Sequence, residues 1–212
     1  MIIVMALSLI VGIGIIAYPA VKFVQKLSPQ GSRLDEIGVT AAQAACCDVI
    51  EDAAVGGGDH RPDHGHISYT VSPPSSGPHY LTWAPFSRKF YTANDRPPMG
   101  NLVHNLEHGY TILWYNDTIA GDVNKVELIE RMSDAFSRSK VHVGKFIAAP
   151  YSEKDGGDAW PAGKNIAFTH WGGGAPVTQK GYRQFCRDIS GAVLRTFMDN
   201  YPAANSPEPN GD

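Results

Sequence analysis

The chain has 212 residues, of which 43% are hydrophobic, and its 18 lysines and arginines stand against 21 aspartates and glutamates, giving a net charge of −3. This length and apolar content are sufficient for one domain with a hydrophobic core and additional segments. The nearly neutral charge, without a basic cluster, excludes nucleic acid as a partner class.

Residues 1–21 contain no charged side chain and consist mostly of Ile, Val, Leu, Ala and Gly. At about 1.5 Å per residue, a helix of roughly 20 such residues crosses a bilayer core of about 30 Å. The stretch is longer than the apolar part of most signal peptides, and no clean small-x-small cleavage site precedes Lys22. We therefore predict a retained single-pass anchor that contacts membrane lipid, in preference to a cleaved signal peptide.

Two opposing signals bear on which side of the membrane the domain lies. Three basic residues come after the anchor within positions 22–33, and the positive-inside rule would place the C-terminal domain in the cytoplasm. Against this, Cys46, Cys47 and Cys186 have no CxxC spacing of the kind that holds zinc or a redox centre. Neighbouring cysteines rarely bond each other, so the simplest pairing joins Cys46 or Cys47 to Cys186, with three reduced thiols as the alternative. A disulfide favours an extracytoplasmic domain.

Glycine and proline positions predict the organisation of the remaining chain. Residues 22–58 are predicted to be a linker, with a short Ala-rich helix over 40–54 that ends at Gly56-Gly57-Gly58. A histidine-rich domain is predicted over 59–202. Residues 203–212 are polar, carry no core pattern and are predicted to be a flexible tail.

Hydrophobic periodicity predicts the elements of this domain. Strands are predicted at 67–71, 88–92 (weaker), 110–115, 143–149 and 165–170. Helices are predicted at 102–108, 123–139 and 181–201. The order of these elements predicts an α+β two-layer sandwich, with a mostly antiparallel sheet and helices on one face, as in the ferredoxin-like plan.

Six of the eight histidines lie within residues 59–109, and two of them belong to His104-Asn105-Leu106-Glu107-His108. In a helix the His104 and His108 side chains lie one turn apart on the same face, so that both imidazoles can reach one metal ion. His79 follows Pro73-Pro74-Ser75-Ser76-Gly77-Pro78, a stiff loop that can present a ligand. His60 is the best fourth ligand by position. These residues predict a metal site.

Copper and zinc are both compatible with this donor set. Met99 lies just before the predicted helix, and a thioether beside imidazoles would suit copper. The pattern His-x-x-Glu-His also occurs in inverted zinc peptidases, where the glutamate, here Glu107, takes a proton from bound water. That reading is opposed by Gly109, which would end the helix at once. In a third reading the protein is a structural subunit of a membrane protein complex, and the histidines form a buried polar network.

Two segments together resemble the signature of an uncharacterised actinobacterial family of membrane-anchored domains, with the motifs PPxSGPH and VHxLEHG. In this chain the segments are Pro73-Pro74-Ser75-Ser76-Gly77-Pro78-His79 and Val103-His104-Asn105-Leu106-Glu107-His108-Gly109. Asp59-His60 is similar to a further family feature, whereas Arg88-Lys89-Phe90 departs from the family pattern before Tyr91. The resemblance covers about residues 59–200. It implies an anchor, one extracytoplasmic domain and a site at these histidines, but no reaction.

We therefore predict a membrane-anchored, extracytoplasmic accessory domain that binds copper or zinc, rather than an enzyme. The predicted ligands are His60, His79, His104 and His108, with Met99 as a possible addition.

Overall fold

A computed structural model describes residues 33–138, 144–173 and 178–212. The predicted anchor at 1–21 lies outside these ranges, and so does one of the eight histidines, His142. Within them, no helix combines the length and the apolar character that a membrane crossing requires.

A mixed five-stranded sheet forms the centre of the fold. In chain order the strands are β1 (Ile50–Ala53), β2 (His60–Arg61), β3 (His79–Tyr80), β4 (Thr111–Tyr115), β5 (Phe146–Pro150), β6 (Ile166–Gly172) and β7 (Lys180–Cys186). The sheet has the order β1-β7-β6-β4-β5, while β2 and β3 form a separate parallel ladder. In the five-stranded sheet β4 and β5 are parallel and the other pairings are antiparallel. The predicted mostly antiparallel α+β sheet is thus confirmed.

Helices cover both faces of this sheet. They are α1 (Ala41–Ala44), α2 (Met99–Glu107), α3 (Asp117–Ala120), α4 (Val123–Ser137) and α5 (Gly191–Asn200). α4 and α5 pack against the face that carries Leu113 and Phe168, and α2 packs against the face that carries Ile112 and Trp114. The predicted two-layer, ferredoxin-like plan with helices on one face is therefore wrong. Its error has a physical cause: β4, β5 and β6 are buried at every residue, and such strands need cover on both sides.

Most of the predicted elements of the domain are present with shifted ends. The helices predicted at 102–108 and 123–139 correspond to α2 and α4, and the strands predicted at 110–115, 143–149 and 165–170 correspond to β4, β5 and β6. The strand predicted at 67–71 is absent, and the one predicted at 88–92 is reduced to a single bridge between Phe90 and Ala148.

The helix predicted at 181–201 is wrong in its first half. Residues up to Cys186 form β7, which is paired on both sides with β6 and β1. The helix α5 starts only after Ser190, whose hydroxyl accepts the Val193 N–H as an N-cap.

Part of the segment predicted as a linker contributes to the core. Leu34, Ile37 and Ala44 are buried, and β1 forms one edge of the sheet. The helix predicted over 40–54 is limited to α1, since Ala45 takes a left-handed conformation with φ +47°. The region Arg33–Asp212 forms one unit.

A disulfide between Cys46 and Cys186 ties this segment to the end of β7, and Cys47 is free. This bridge is one of the two pairings that the sequence left open.

We expect Cys46→Ser to lower the free energy of unfolding by about 2–5 kcal/mol, because the bridge restricts a long loop of the unfolded chain. Cys47→Ser is the matched control and should change stability by less than about 0.5 kcal/mol. Urea denaturation measures both variants. Equal stability of Cys46→Ser and the wild type, or three titratable thiols in the denatured, unreduced protein, would contradict the bridge.

Candidate metal centre

Side chains from three elements meet at one place. His60 comes from β2, His79 from β3, and His104 and Glu107 from α2. The parallel register of β2 and β3 pairs His60 with His79, and His104 and Glu107 share a helix face at i, i+3. One ligand atom from each of these residues lies within 4.8 Å of every other. We call this group the four-residue cluster.

The loop before His79 is buried, and Tyr69, which precedes the loop, holds it in position. Ser72–Gly77 are all buried, and the Tyr69 hydroxyl donates to the Pro78 carbonyl at 2.9 Å. Gly77 has φ +150°, and a Cβ there would lie 2.8 Å from the Tyr69 ring. Only glycine therefore permits this close approach, which sets the position of His79.

The imidazoles of the cluster share one hydrogen-bond pattern. His79 Nδ1 lies 2.9 Å from the Gly77 oxygen, and His104 Nδ1 lies 2.6 Å from the Tyr80 oxygen. His60 Nδ1 is 3.3 Å from a main-chain oxygen in the same way. A carbonyl only accepts, so each Nδ1 carries the hydrogen and each neutral imidazole keeps its lone pair on Nε2. Metal-binding histidines are oriented by this type of contact.

Glu107 contributes a carboxylate that is only 2% exposed. Its Oε1 accepts the Gly58 N–H at 2.8 Å. Its Oε2 lies 2.8 Å from His79 Nε2 and 4.0 Å from His60 Nε2. Both Oε2 and His79 Nε2 are buried, yet neither is aligned for a hydrogen bond. Such atoms are rare in folded proteins, and here they border the same small space.

The electrostatics of the cluster favour a bound cation. Burial lowers the pKa of His104 to about 4, with neighbouring histidines adding to the effect, so this imidazole is neutral. Burial lowers the pKa of His79, but Glu107 and the Gly77 carbonyl outweigh it and the pKa is raised overall. Burial raises the pKa of Glu107, but His79 and the Gly58 N–H outweigh it and the pKa is lowered. The carboxylate is therefore ionised, and it favours a positive charge beside it, carried either by a proton on His79 or by a bound cation.

His108 lies beside the four-residue cluster but outside it. Its Nε2 is 3.1 Å from His104 Nε2, and its Nδ1 is 2.8 Å from the Asp212 main-chain oxygen. Because both Nδ1 atoms carry hydrogens, the two Nε2 lone pairs of the neutral rings face each other. The contact thus needs a proton or another cation.

The other candidates lie elsewhere. Met99 is partly buried and packs against an apolar cluster. His170 is buried, with Nδ1 3.2 Å from the Tyr110 oxygen, and burial lowers its pKa to about 4. Sequence reasoning considered Glu107 as a base or as a group that orients a ligand, not as a ligand; its i+3 spacing from His104 places both side chains on one helix face. Trp83, whose ring is 5.0 Å from those of His104 and His108, was not identified from sequence.

An open pocket of about 630 Å³ leads to the metal centre. It is lined by His60, Leu81, Trp83, His104, His108, Glu208, Asn210, Gly211 and Asp212. Leu81 and Trp83 are 58% and 40% exposed, which is high for large apolar side chains. The cluster is thus accessible from solvent on the His60 side.

Residues 206–212, here called the strap, lie against the end of α2. The sequence predicts a flexible tail at 203–212, but in the structure main-chain hydrogen bonds hold this segment. Lys145 Nζ donates to the main-chain oxygens of His108, Pro209 and Gly211 at 2.7, 2.9 and 2.6 Å. The Glu208 N–H donates to the main-chain oxygen of Glu107 at 2.9 Å. Hydrogen bonds to main-chain oxygens require no apolar pattern in the sequence, so hydrophobic periodicity could not predict that this segment is held.

Comparison with known proteins identifies the domain but no activity. Residues 60–212 match a family model described as a protein of unknown function (DUF3105). No curated protein and no solved structure matches the chain. The matched region contains the whole four-residue cluster, Lys145 and the strap, whereas Cys46 precedes it.

We expect Lys145→Met to release the strap, because three carbonyl oxygens lose one buried donor. Unfolding free energy should fall by about 1–3 kcal/mol, and amide exchange of Glu208 and Gly211 should accelerate. Hydrogen exchange detected by mass spectrometry measures this. Lys180→Met, which removes an exposed ammonium bonded to Glu51, is the control and should leave strap exchange unchanged. Unaltered exchange in Lys145→Met would show that the lysine does not hold the strap.

Proposed function

The chain belongs to the DUF3105 family, and we propose that its domain binds one zinc ion through His60, His79, His104 and Glu107. A His and Glu cluster with this composition can hold a metal ion.

The main support for this proposal is that the cluster contains more hydrogen-bond acceptors than donors. The imidazoles use their Nδ1 hydrogens on main-chain oxygens, so each neutral ring has an acceptor lone pair at Nε2. Those of His79 and His60 face Glu107, and that of His104 faces His108. The buried Oε2 and His79 Nε2 have no aligned partner. A proton on His79 Nε2, which the neighbouring Glu107 favours, would bridge only this one pair. A metal ion satisfies all of the acceptors together.

The donor set favours zinc over copper. Zinc is bound by imidazole nitrogen and carboxylate oxygen in tetrahedral sites. With metal–ligand bonds of about 2.0–2.1 Å, donor atoms in such a site lie roughly 3.3 Å apart. The distances here run from 2.8 Å for His79–Glu107 to at most 4.8 Å, so small side-chain rotations close the site. Cu(I) selects sulfur ligands, and the partly buried Met99 packs against an apolar cluster instead.

A binding role fits this set better than hydrolysis. Four protein donors complete a tetrahedral zinc, whereas catalytic zinc keeps one position for water. Glu107 is also fixed by the Gly58 N–H, which opposes its use as a general base. The observation that favours the alternative, a zinc hydrolase, is the open pocket at His60, whose side chain is 32% exposed. Water could replace this imidazole.

We also propose that residues 1–21 anchor the domain in a membrane and that the domain is an extracytoplasmic accessory module. The support is the charge-free apolar stretch and the Cys46–Cys186 bridge, which suits an oxidising compartment.

Metal binding is tested on the purified full chain by elemental analysis and zinc titration against a competing chelator. We expect one zinc per chain and a loss of affinity of more than about 100-fold in His79→Ala and His104→Ala, beyond the loss of an outer-shell partner. His64→Ala, at a histidine outside the cluster, is the control and should bind like the wild type. Absence of zinc binding, or an equal loss in the control, would disprove the site; preferential retention of copper would disprove the choice of metal.

Glu107→Gln separates binding from hydrolysis. The amide oxygen can still accept the Gly58 N–H, but the charge is lost. If Glu107 is a ligand, zinc affinity falls with the histidine variants. If it is a general base, zinc stays bound and only activity toward peptide or ester substrates disappears.

Carbonate extraction of native membranes tests the anchor. The full chain should remain in the pellet because a spanning helix resists extraction, whereas a chain lacking residues 1–21 should appear in the supernatant. Release of the full chain would rule out anchoring.

A further inference from the structure

A second pocket, of about 620 Å³, shares no lining residue with the pocket at the metal centre. It lies where the parallel strands β4 and β5 end beside each other: Asn116 follows β4, and Tyr151 follows β5. The carboxyl ends of parallel strands are where open α/β sheets commonly bind ligands. The loop 151–165 forms much of the lining.

This loop is held in shape by its own contacts. The Tyr151 hydroxyl donates to the Gly156 oxygen at 2.7 Å, and the Ser152 N–H donates to Asp155 at 2.8 Å. Arg96 bonds the Asp155 carboxylate from outside the loop. A pocket whose wall is fixed before binding is typical of small-molecule sites, which span about 300–1,000 Å³.

Two buried polar atoms that belong to lining residues of this pocket have no hydrogen-bond partner. The Trp160 ring stacks on Tyr151 with centroids 5.7 Å apart and meets the edge of Phe185 at 5.5 Å, yet its Nε1 makes no hydrogen bond. Ser72 is 3% exposed, and its Oγ also lacks a partner. Indole Nε1 is a donor only, so a ligand that satisfies it must supply an acceptor oxygen.

The charges of the lining define the ligand further. Asp117 and Asp158 line the pocket with carboxylates, while the Lys164 ammonium is bonded to the Ala45 oxygen. This balance disfavours an anion. Carboxylates accept hydrogen bonds and the indole donates one, and a hydroxyl group can match both.

We propose that this pocket binds a neutral saccharide. Several hydroxyls on a compact body match the mixed donors and acceptors, and the C–H face of a sugar ring can pack on the Trp160 indole, as apolar groups do on aromatic rings. The pocket size fits one or two sugar units. The site is independent of the metal centre, so either can exist without the other.

The proposal is tested on the full chain by saturation-transfer NMR and calorimetry. The probes are glucose, galactose, N-acetylglucosamine, maltose and cellobiose, with inorganic phosphate as the anionic probe. We expect at least one sugar, and not phosphate, to bind. Trp160→Phe keeps a ring but removes the Nε1 donor, and it should weaken sugar binding about tenfold, the equivalent of one hydrogen bond.

Two further variants make the result decisive. Ser72→Ala removes the second unpartnered group and should also weaken binding, which covers the case in which Trp160→Phe fails to fold. Trp83→Phe, at the other pocket, is the matched control and should bind sugar like the wild type. Failure of every sugar, preference for phosphate, or equal binding by Trp160→Phe and Ser72→Ala would overturn the proposal.

Discussion

The buried carboxylate of Glu107 is the constraint around which this domain is arranged. An ionised group that is 2% exposed is costly unless it is paired and hydrogen-bonded. Its partners come from separate parts of the chain: the Gly58 N–H ahead of β2, and His79 on β3. The β2–β3 ladder and α2 must therefore dock in one arrangement, and the sheet face under α2 is covered as a result.

The same constraint explains why the imidazoles are oriented so uniformly. Each Nδ1 is fixed on a main-chain oxygen, so no ring can rotate to offer a hydrogen to its neighbour without losing a buried bond. The Nε2 acceptors and the Glu107 carboxylate therefore lie close together, where their lone pairs repel one another. A group of acceptors around one carboxylate is one that could hold a metal ion.

Sequence reasoning predicted three members of the four-residue cluster, His60, His79 and His104, but not Glu107 as a fourth. The i, i+4 histidine pair and the proline loop predicted that His79 and His104 lie near each other, because both signals are local. The angle at which α2 meets the β2–β3 ladder decides whether the Glu107 carboxylate faces the cluster and whether His108 lies beside it. No local pattern in the sequence encodes this angle. The same limit applies to the fold. Residues 67–71 alternate like a strand but pack on the proline loop through Tyr69, with no neighbouring strand to pair with. From the sequence alone, residues 180–186 resemble the start of a helix. In the structure they form a strand between β6 and β1.

The free thiol of Cys47 beside the bridged Cys46 has a consequence for oxidative folding. A bridge from Cys47 to Cys186 would close a loop only one residue shorter, so chain entropy does not distinguish the two isomers. The native isomer is selected by local structure: the Cys47 N–H donates to the Phe185 oxygen at 2.8 Å, which aligns the segment on β7 and leaves Cys46 to reach Cys186. Docking of this segment on β7 therefore favours the native bridge over its isomer.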